Sequence, residues 1–153
     1  LQSAGGHVVD AYCGVGTIAL PLAKAGFHVQ GLELNSDSVE QARLNAMHNG
    51  LSSRCEFHAG DVADLLASQL EDCRALVLDP PRRGLDRRVV ESILEQPPEV
   101  LAYLSCDPAT QARDLKNLLG PSGPYALEIL QPVDFFPQTT HLESLALMKR
   151  ISS

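Results

Sequence analysis

The chain has 153 residues, 44% of them hydrophobic and 20% charged, which suits one globular domain and excludes a disordered or collagen-like chain. Twelve Lys and Arg against 19 Asp and Glu give a net charge of -7, the opposite of a broadly basic nucleic-acid-binding surface, so any RNA or DNA contact must be local. The longest apolar stretch, Thr17 to Ala25, contains a proline and falls far short of the roughly 20 residues that a membrane span needs.

In chain order, a β-prone run His7 to Asp10 leads through Cys13-Gly14-Val15-Gly16 into an apolar helical pattern from Thr17 to Ala25. The unit recurs. A strand from His28 to Leu32 ends at Glu33, and Asn35 or Ser36 caps a helix that Asn49-Gly50 stops. A strand from Cys55 to Ala59 precedes Gly60-Asp61 and a helix through Leu70. Ala75 to Leu78 reads as a buried strand ending at Asp79, where Pro80-Pro81 forbids a continued ladder. A helix from Arg87 to Glu95 stops at Pro97-Pro98, a strand from Val100 to Leu104 stops at Ser105-Cys106, and a helix spans Pro108 to Leu119. After the turn cluster Gly120 to Pro124, two strands follow without a helix between them, Ala126 to Leu130 and Ser144 to Arg150.

Five strand-helix alternations and two closing strands predict an α/β fold: a mostly parallel seven-stranded sheet, helices on both faces, the last strand antiparallel. Ligands of such sheets sit at the carboxyl ends of the strands, where Asp10, Glu33, Asp61, Asp79 and Cys106 all fall.

Gly14-Val15-Gly16-Thr17-Ile18-Ala19 has the G-x-G-x-x-A spacing of a cofactor loop, a weak signal by itself. A dinucleotide would bring its pyrophosphate to this loop, where Asp10 would repel it. S-adenosylmethionine carries an ammonium and a sulfonium and no phosphate, so an acid suits it. Glu33 is placed for ribose hydroxyls and Asp61 for the adenine amino group. Any one such acid could instead cap a helix; their recurrence at successive strand ends favours the cofactor.

Asp79-Pro80-Pro81-Arg82 marks the substrate side. Enzymes that methylate exocyclic amines commonly carry an aromatic residue after the double proline, whereas here Arg82 and Arg83 offer guanidiniums suited to a phosphate or a uracil carbonyl. With Arg87 and Arg88, which read as surface, they are four of the 12 basic residues. Cys106 precedes a helix start, whose unpaired N–H groups and dipole favour a thiolate nucleophile. Cys55 and Cys73 read as structural and Cys13 as a packing residue of the loop. The four cysteines lack zinc or redox spacing, which indicates a reducing compartment and no metal.

Asp10 to Thr17, Asp79-Pro80-Pro81-Arg82, Ser105 to Thr110 with Ala112-Arg113-Asp114, and Asp134 to Glu143 together resemble the signatures of the RNA 5-methyluridine (uracil-C5) methyltransferases. The likeness runs from Val8 to Met148. It implies a Rossmann-like class I S-adenosylmethionine-dependent fold over residues 1–153, a single catalytic domain. It further implies Cys106 as nucleophile, Glu143 as base, and Tyr12, Gly14, Thr17, Glu33, Asp61 and Asp79 around the cofactor, beside the Asp10 already placed there by its charge. Arg82 and Arg83 would face a uridine of ribosomal or transfer RNA. Phe135 or Phe136 lies near that pocket or in the core. RNA cytosine-C5 enzymes carry a second cysteine beside the fourth-strand proline; Asp79-Pro80-Pro81 stands there, which favours uracil. Asp107 replaces the usual asparagine after the cysteine.

The chain opens without a secretory pattern and with Leu1 rather than Met, so it is expected to be a fragment. The family's upstream RNA-binding region, which would make most contacts with RNA, and a cofactor-binding glutamine are absent, as is the cysteine spacing of an iron-sulfur cluster. A cytoplasmic location is expected, with no membrane partner. The competing readings are an amine methyltransferase acting on a nucleobase or a protein, a cofactor- or RNA-binding module without turnover, and, most remotely, an oxidoreductase.

Overall fold

A computed structural model describes residues 7–121, 123–133 and 143–151. The elements alternate as β1 (His7–Ala11), α1 (Ala19–Lys24), β2 (Val29–Glu33), α2 (Ser36–His48), β3 (Cys55–Ala59), α3 (Val62–Gln69), β4 (Cys73–Leu78), α4 (Arg87–Glu95), β5 (Val100–Ser105), α5 (Pro108–Leu119), β6 (Tyr125–Val133) and β7 (Glu143–Arg150). The sheet order is β3-β2-β1-β4-β5-β7-β6. Strands β1 to β5 pair in parallel, and β7 runs antiparallel to both β5 and β6. The chain winds outward from β1 through β2 to β3 and then returns to β4, so the strand order reverses between β1 and β4. That crevice is where sheets of this kind hold ligands.

Alternation along the strands sends side chains to two cores. Val9, Leu76, Leu78, Leu101 and Tyr103 pack under α3, α4 and α5. On the opposite face Val29, Val39 and Phe57 pack with α1 and α2, and Val8 and Val77 form a smaller cluster beside them. Gly31 of β2 makes room on that face, because a Cβ there would collide with the Phe57 ring and come within 2.8 Å of Cys13 Sγ.

Caps account for the sharp helix ends. Asn35 accepts from the N–H groups of Asp37 and Ser38, Asp61 from Ala63, Asp86 from Arg88, and Asp107 from Ala109 and Thr110. Strand β4 begins at Cys73 rather than Ala75, and two elements differ more from the sequence expectation. Helix α1 starts at Ala19 rather than Thr17, because Gly14 and Gly16 adopt positive φ and the intervening turn takes up the residues before it. Strand β6 is longer than Ala126 to Leu130, since its partner β7 rather than its apolar content sets its length. Among the described residues no helix is long and apolar enough to cross a membrane.

Candidate active site

The turn after β1 sets the floor of the crevice. Tyr12 takes φ 66°, a conformation costly for a side chain of that size, and the N–H groups of Tyr12 and Cys13 both donate to Leu32 O, at 2.8 and 3.0 Å. Gly14 follows with its N–H donating to Glu33 Oε2 at 3.1 Å, while Glu33 Oε1 accepts from Asn35 N–H at 2.9 Å. Glu33 therefore braces the glycine loop from the end of β2. Thr17 is exposed on the same turn.

Asp10 is fully buried, and neither of its carboxyl oxygens has a hydrogen-bond partner among the described residues. Burial pushes its pKa up to about 7; the N–H of Ala19, near it but outside hydrogen-bond geometry, lowers it, and Asp79 raises it further. An unpartnered carboxyl group beneath a glycine loop is an acceptor in want of a donor. The chemistry of a cationic ammonium fits such a group. Burial likewise holds the Tyr12 phenol at about 12 and the Cys13 thiol at about 12, so both stay protonated and Cys13 serves packing.

Asp61 turns out to be the N-cap of α3, and its second oxygen lies 3.8 Å from Arg88 Nη2. Arg88 also bonds Asp64 of α3 at 2.5 Å, and Arg87 pairs with Glu91 within α4 at 2.7 Å; both arginines lie on the surface, as expected. Asp79 stands at the end of β4, its N–H donating to Ala11 O at 3.3 Å. Desolvation and the nearby Glu143 raise its pKa. The Glu143 carboxylate of β7 is thus close enough to Asp79 to repel its charge.

Cys106 is half-buried, neither sealed in hydrocarbon nor in bulk solvent, and all four cysteines are free. The Ser105 hydroxyl donates to Asp107 O at 2.9 Å and accepts from Asp107 N–H at 3.0 Å, clamping the backbone on both sides of Cys106. Ser105 pairs with Ser144 in the last pair of the β5–β7 ladder, which brings the adjoining residues Cys106 and Glu143 to the same end of the sheet. The helix start is less open than the sequence suggests: Asp107 Oδ1 takes the N–H groups of Ala109 and Thr110 at 2.9 and 3.1 Å, leaving fewer donors for a thiolate. Gln111, buried on the inward face of α5, donates to Tyr103 O at 3.0 Å and Ser144 O at 3.2 Å and so ties β5 to β7 beneath the pair. Sequence reasoning gave Ser105 no role beyond ending its strand and opening a signature, and it missed Gln111; a glutamine at a core-facing helical position is the one signal that could have found the latter.

Arg82 and Arg83 are exposed on the loop after Asp79. A cavity of about 700 Å³ opens beside Arg83 and Arg113, between α4 and α5, and Asp10, Gly14, Glu33 and Cys106 do not line it. It is separate from the crevice. The signature residues Asp134 to Leu142, including Phe135, Phe136 and His141, lie outside the described residues.

Residues 1–151 match the family model of the tRNA (uracil-5-)-methyltransferases. The chain belongs to that family. An RNA methyltransferase of Parasynechococcus marenigrum is 68% identical over 148 residues, covering 97% of this chain and 32% of the relative. The Pyrococcus abyssi tRNA (uracil-54, C5)-methyltransferase, solved with S-adenosyl-L-homocysteine, superposes with a TM-score of 0.83 at 34% identity, covering 95% of this chain and 34% of the other. The chain thus spans about a third of the length of these members. Magnesium protoporphyrin IX methyltransferase of Synechocystis, solved with S-adenosylmethionine, shares the fold at 18% identity and a TM-score of 0.73, with 96% of this chain and 71% of the other aligned. The class I methyltransferase fold expected from the resemblance is therefore borne out, as is the family.

Proposed function

We propose that this domain is the catalytic part of an S-adenosylmethionine-dependent enzyme that methylates C5 of a uridine in ribosomal or transfer RNA. The observation that carries the reading is the β5–β7 register, whose last pair, Ser105 and Ser144, adjoins Cys106 and Glu143 at the ligand end of the sheet. Family membership and the unpartnered Asp10 beneath the glycine loop support the cofactor. Asp10, Tyr12, Gly14, Thr17, Glu33, Asp61 and Asp79 are the residues that would hold it. When bound, it supplies a methyl group on a positively charged sulfur.

Uracil C5 is a weak nucleophile. Addition of Cys106 Sγ to C6 breaks the C5=C6 double bond and moves its electrons toward the C4 oxygen, giving an enolate that is nucleophilic at C5. Once C5 carries both hydrogen and methyl, Glu143 removes the C5 proton, the double bond re-forms, and Cys106 leaves C6 as thiolate. Arg82 and Arg83 would meet the C4 carbonyl or a neighbouring phosphate. The target base must leave its stack to reach Cys106. Most RNA contacts would come from parts of the full-length protein outside this chain, consistent with a net charge of -7, and the reaction would take place in the cytoplasm.

The test uses full-length protein, cofactor and RNA containing 5-fluorouridine, whose C5 fluorine cannot be removed as a proton. A denaturation-resistant protein–RNA adduct is expected, and it should vanish in Cys106→Ala while cofactor binding remains within about threefold. An amine methyltransferase would form no adduct and would keep its turnover in Cys106→Ala; a binding module would show neither.

A further inference from the structure

Helix α5 does more than start beside Cys106. Its residues Asp107, Thr110, Gln111 and Asp114 follow the i, i+3, i+4, i+7 spacing of one helical face. That face meets both parts of the reaction centre, since Gln111 bonds the β5–β7 pair and the next turn bonds the Pro81 to Leu85 loop. Arg113 Nη2 donates to Arg83 O at 3.0 Å, and Asp114 Oδ2 accepts from Leu85 N–H at 2.8 Å. The Thr110 hydroxyl lies within 3.1 Å of Arg82 O and 3.0 Å of Asp107 O, sharing one proton between them.

Asp114 is the centre of this arrangement. It is 2% exposed, and both of its oxygens are in use. Oδ1 accepts from Arg113 Nε and Nη2 at 2.9 and 2.7 Å, while Oδ2 accepts from Leu85 N–H and from the buried Tyr103 hydroxyl at 2.8 Å. Tyr103 lies in β5 two residues before Ser105, so one carboxylate ties together the strand, the helix and the loop. The loop backbone packs directly on it. Gly84 sits at φ 78°, and a Cβ there would come within 2.5 Å of both Arg113 Nη2 and Asp114 Oδ2. A buried carboxylate costs free energy unless it is fully bonded.

We infer that Asp114 is a positioning residue, whose carboxylate, neutralised by Arg113, fixes the Arg82–Arg83 segment relative to Cys106. This rests on the reading of the domain as a uracil-C5 methyltransferase. In that reaction the loop must present its guanidiniums while C6 lies against sulfur, and a displacement of about 1 Å can cost ~10²-fold in rate.

Asp114→Asn separates positioning from mere stability, being nearly isosteric. Whichever way the amide is turned, its NH₂ faces donors, either those of Arg113 or the Leu85 N–H, so one attachment is lost. In full-length protein we expect the rate of adduct formation with 5-fluorouridine RNA, and kcat on ordinary RNA, to fall about tenfold or more. Cofactor Kd should stay within about threefold. A folded Asp114→Asn protein that forms adduct at the wild-type rate overturns the inference, even if its Tm is lower. If that variant does not fold, Arg113→Met carries the test, because this side chain is 55% exposed; adduct formation within about twofold of wild type then overturns it. Should wild-type protein form no adduct, the functional reading fails instead, which is a distinguishable result.

Discussion

Cys106 and Glu143 are successive to a paired couple, Ser105 and Ser144, in the antiparallel ladder of β5 and β7. A thiol and a carboxylate 37 positions apart in sequence are brought to the same end of the sheet by backbone pairing, and the proposed function makes them nucleophile and base. Glu143→Gln should therefore leave the addition step and block proton removal from C5. With ordinary uridine RNA and cofactor we expect a covalent protein–RNA complex to accumulate on denaturing gels and product release to slow by about 10²–10⁴-fold. Free methylated RNA released at the wild-type rate would show that another group removes the proton.

The buried Asp10 predicts a pH dependence of stability in the absence of cofactor. Its folded pKa is raised from 3.8 to about 7 by desolvation, so between these values the folded state keeps a proton that the unfolded state has lost. Stability should fall as pH rises from about 4 to about 7 and level off above. Asp10→Asn, which has no proton to lose, should flatten this part of the Tm profile and weaken cofactor binding at pH 8. A Tm profile unchanged by Asp10→Asn would mean that the carboxyl group finds a partner in solution.

Glu33 braces Gly14 and Asn35 through its two oxygens, and the proposed function gives it a second job at the cofactor. Hydrogen bonds to a charged acceptor contribute about 1.5–3 kcal/mol. Glu33→Ala should lower cofactor affinity at least tenfold by isothermal titration, with a Tm loss of a few degrees. An affinity within about twofold of wild type would remove Glu33 from the cofactor site.

Gly31→Ala tests the packing beneath the loop. A methyl group there meets the Phe57 ring and Cys13 Sγ, and overpacking of this kind costs about 1–3 kcal/mol. Chemical denaturation should report that loss, and Phe57→Leu in the same chain should recover part of it. No recovery would place the strain at Cys13.

Local chemistry determined much of what could be read from the chain. Helices α4 and α5 begin and end where Asp86, Asp107, Pro108 and the prolines after Glu95 dictate, because capping and ring closure act over a few residues. The reactive strand ends were legible for the same reason. Helix α1 was not, since the positive φ values of Gly14 and Gly16 depend on how the turn meets β2. Nor could local signals distinguish Asp61, which caps α3, from Glu33, which braces the glycine loop; both are acids after a strand. The neighbourhood of Cys106 and Glu143, the unpartnered carboxyl group of Asp10, and the junction at Asp114 belong to the tertiary structure. Register, burial and hydrogen bonding between distant segments arise only when the sheet assembles, and a polar residue on a helix carries no mark of the strand it will meet.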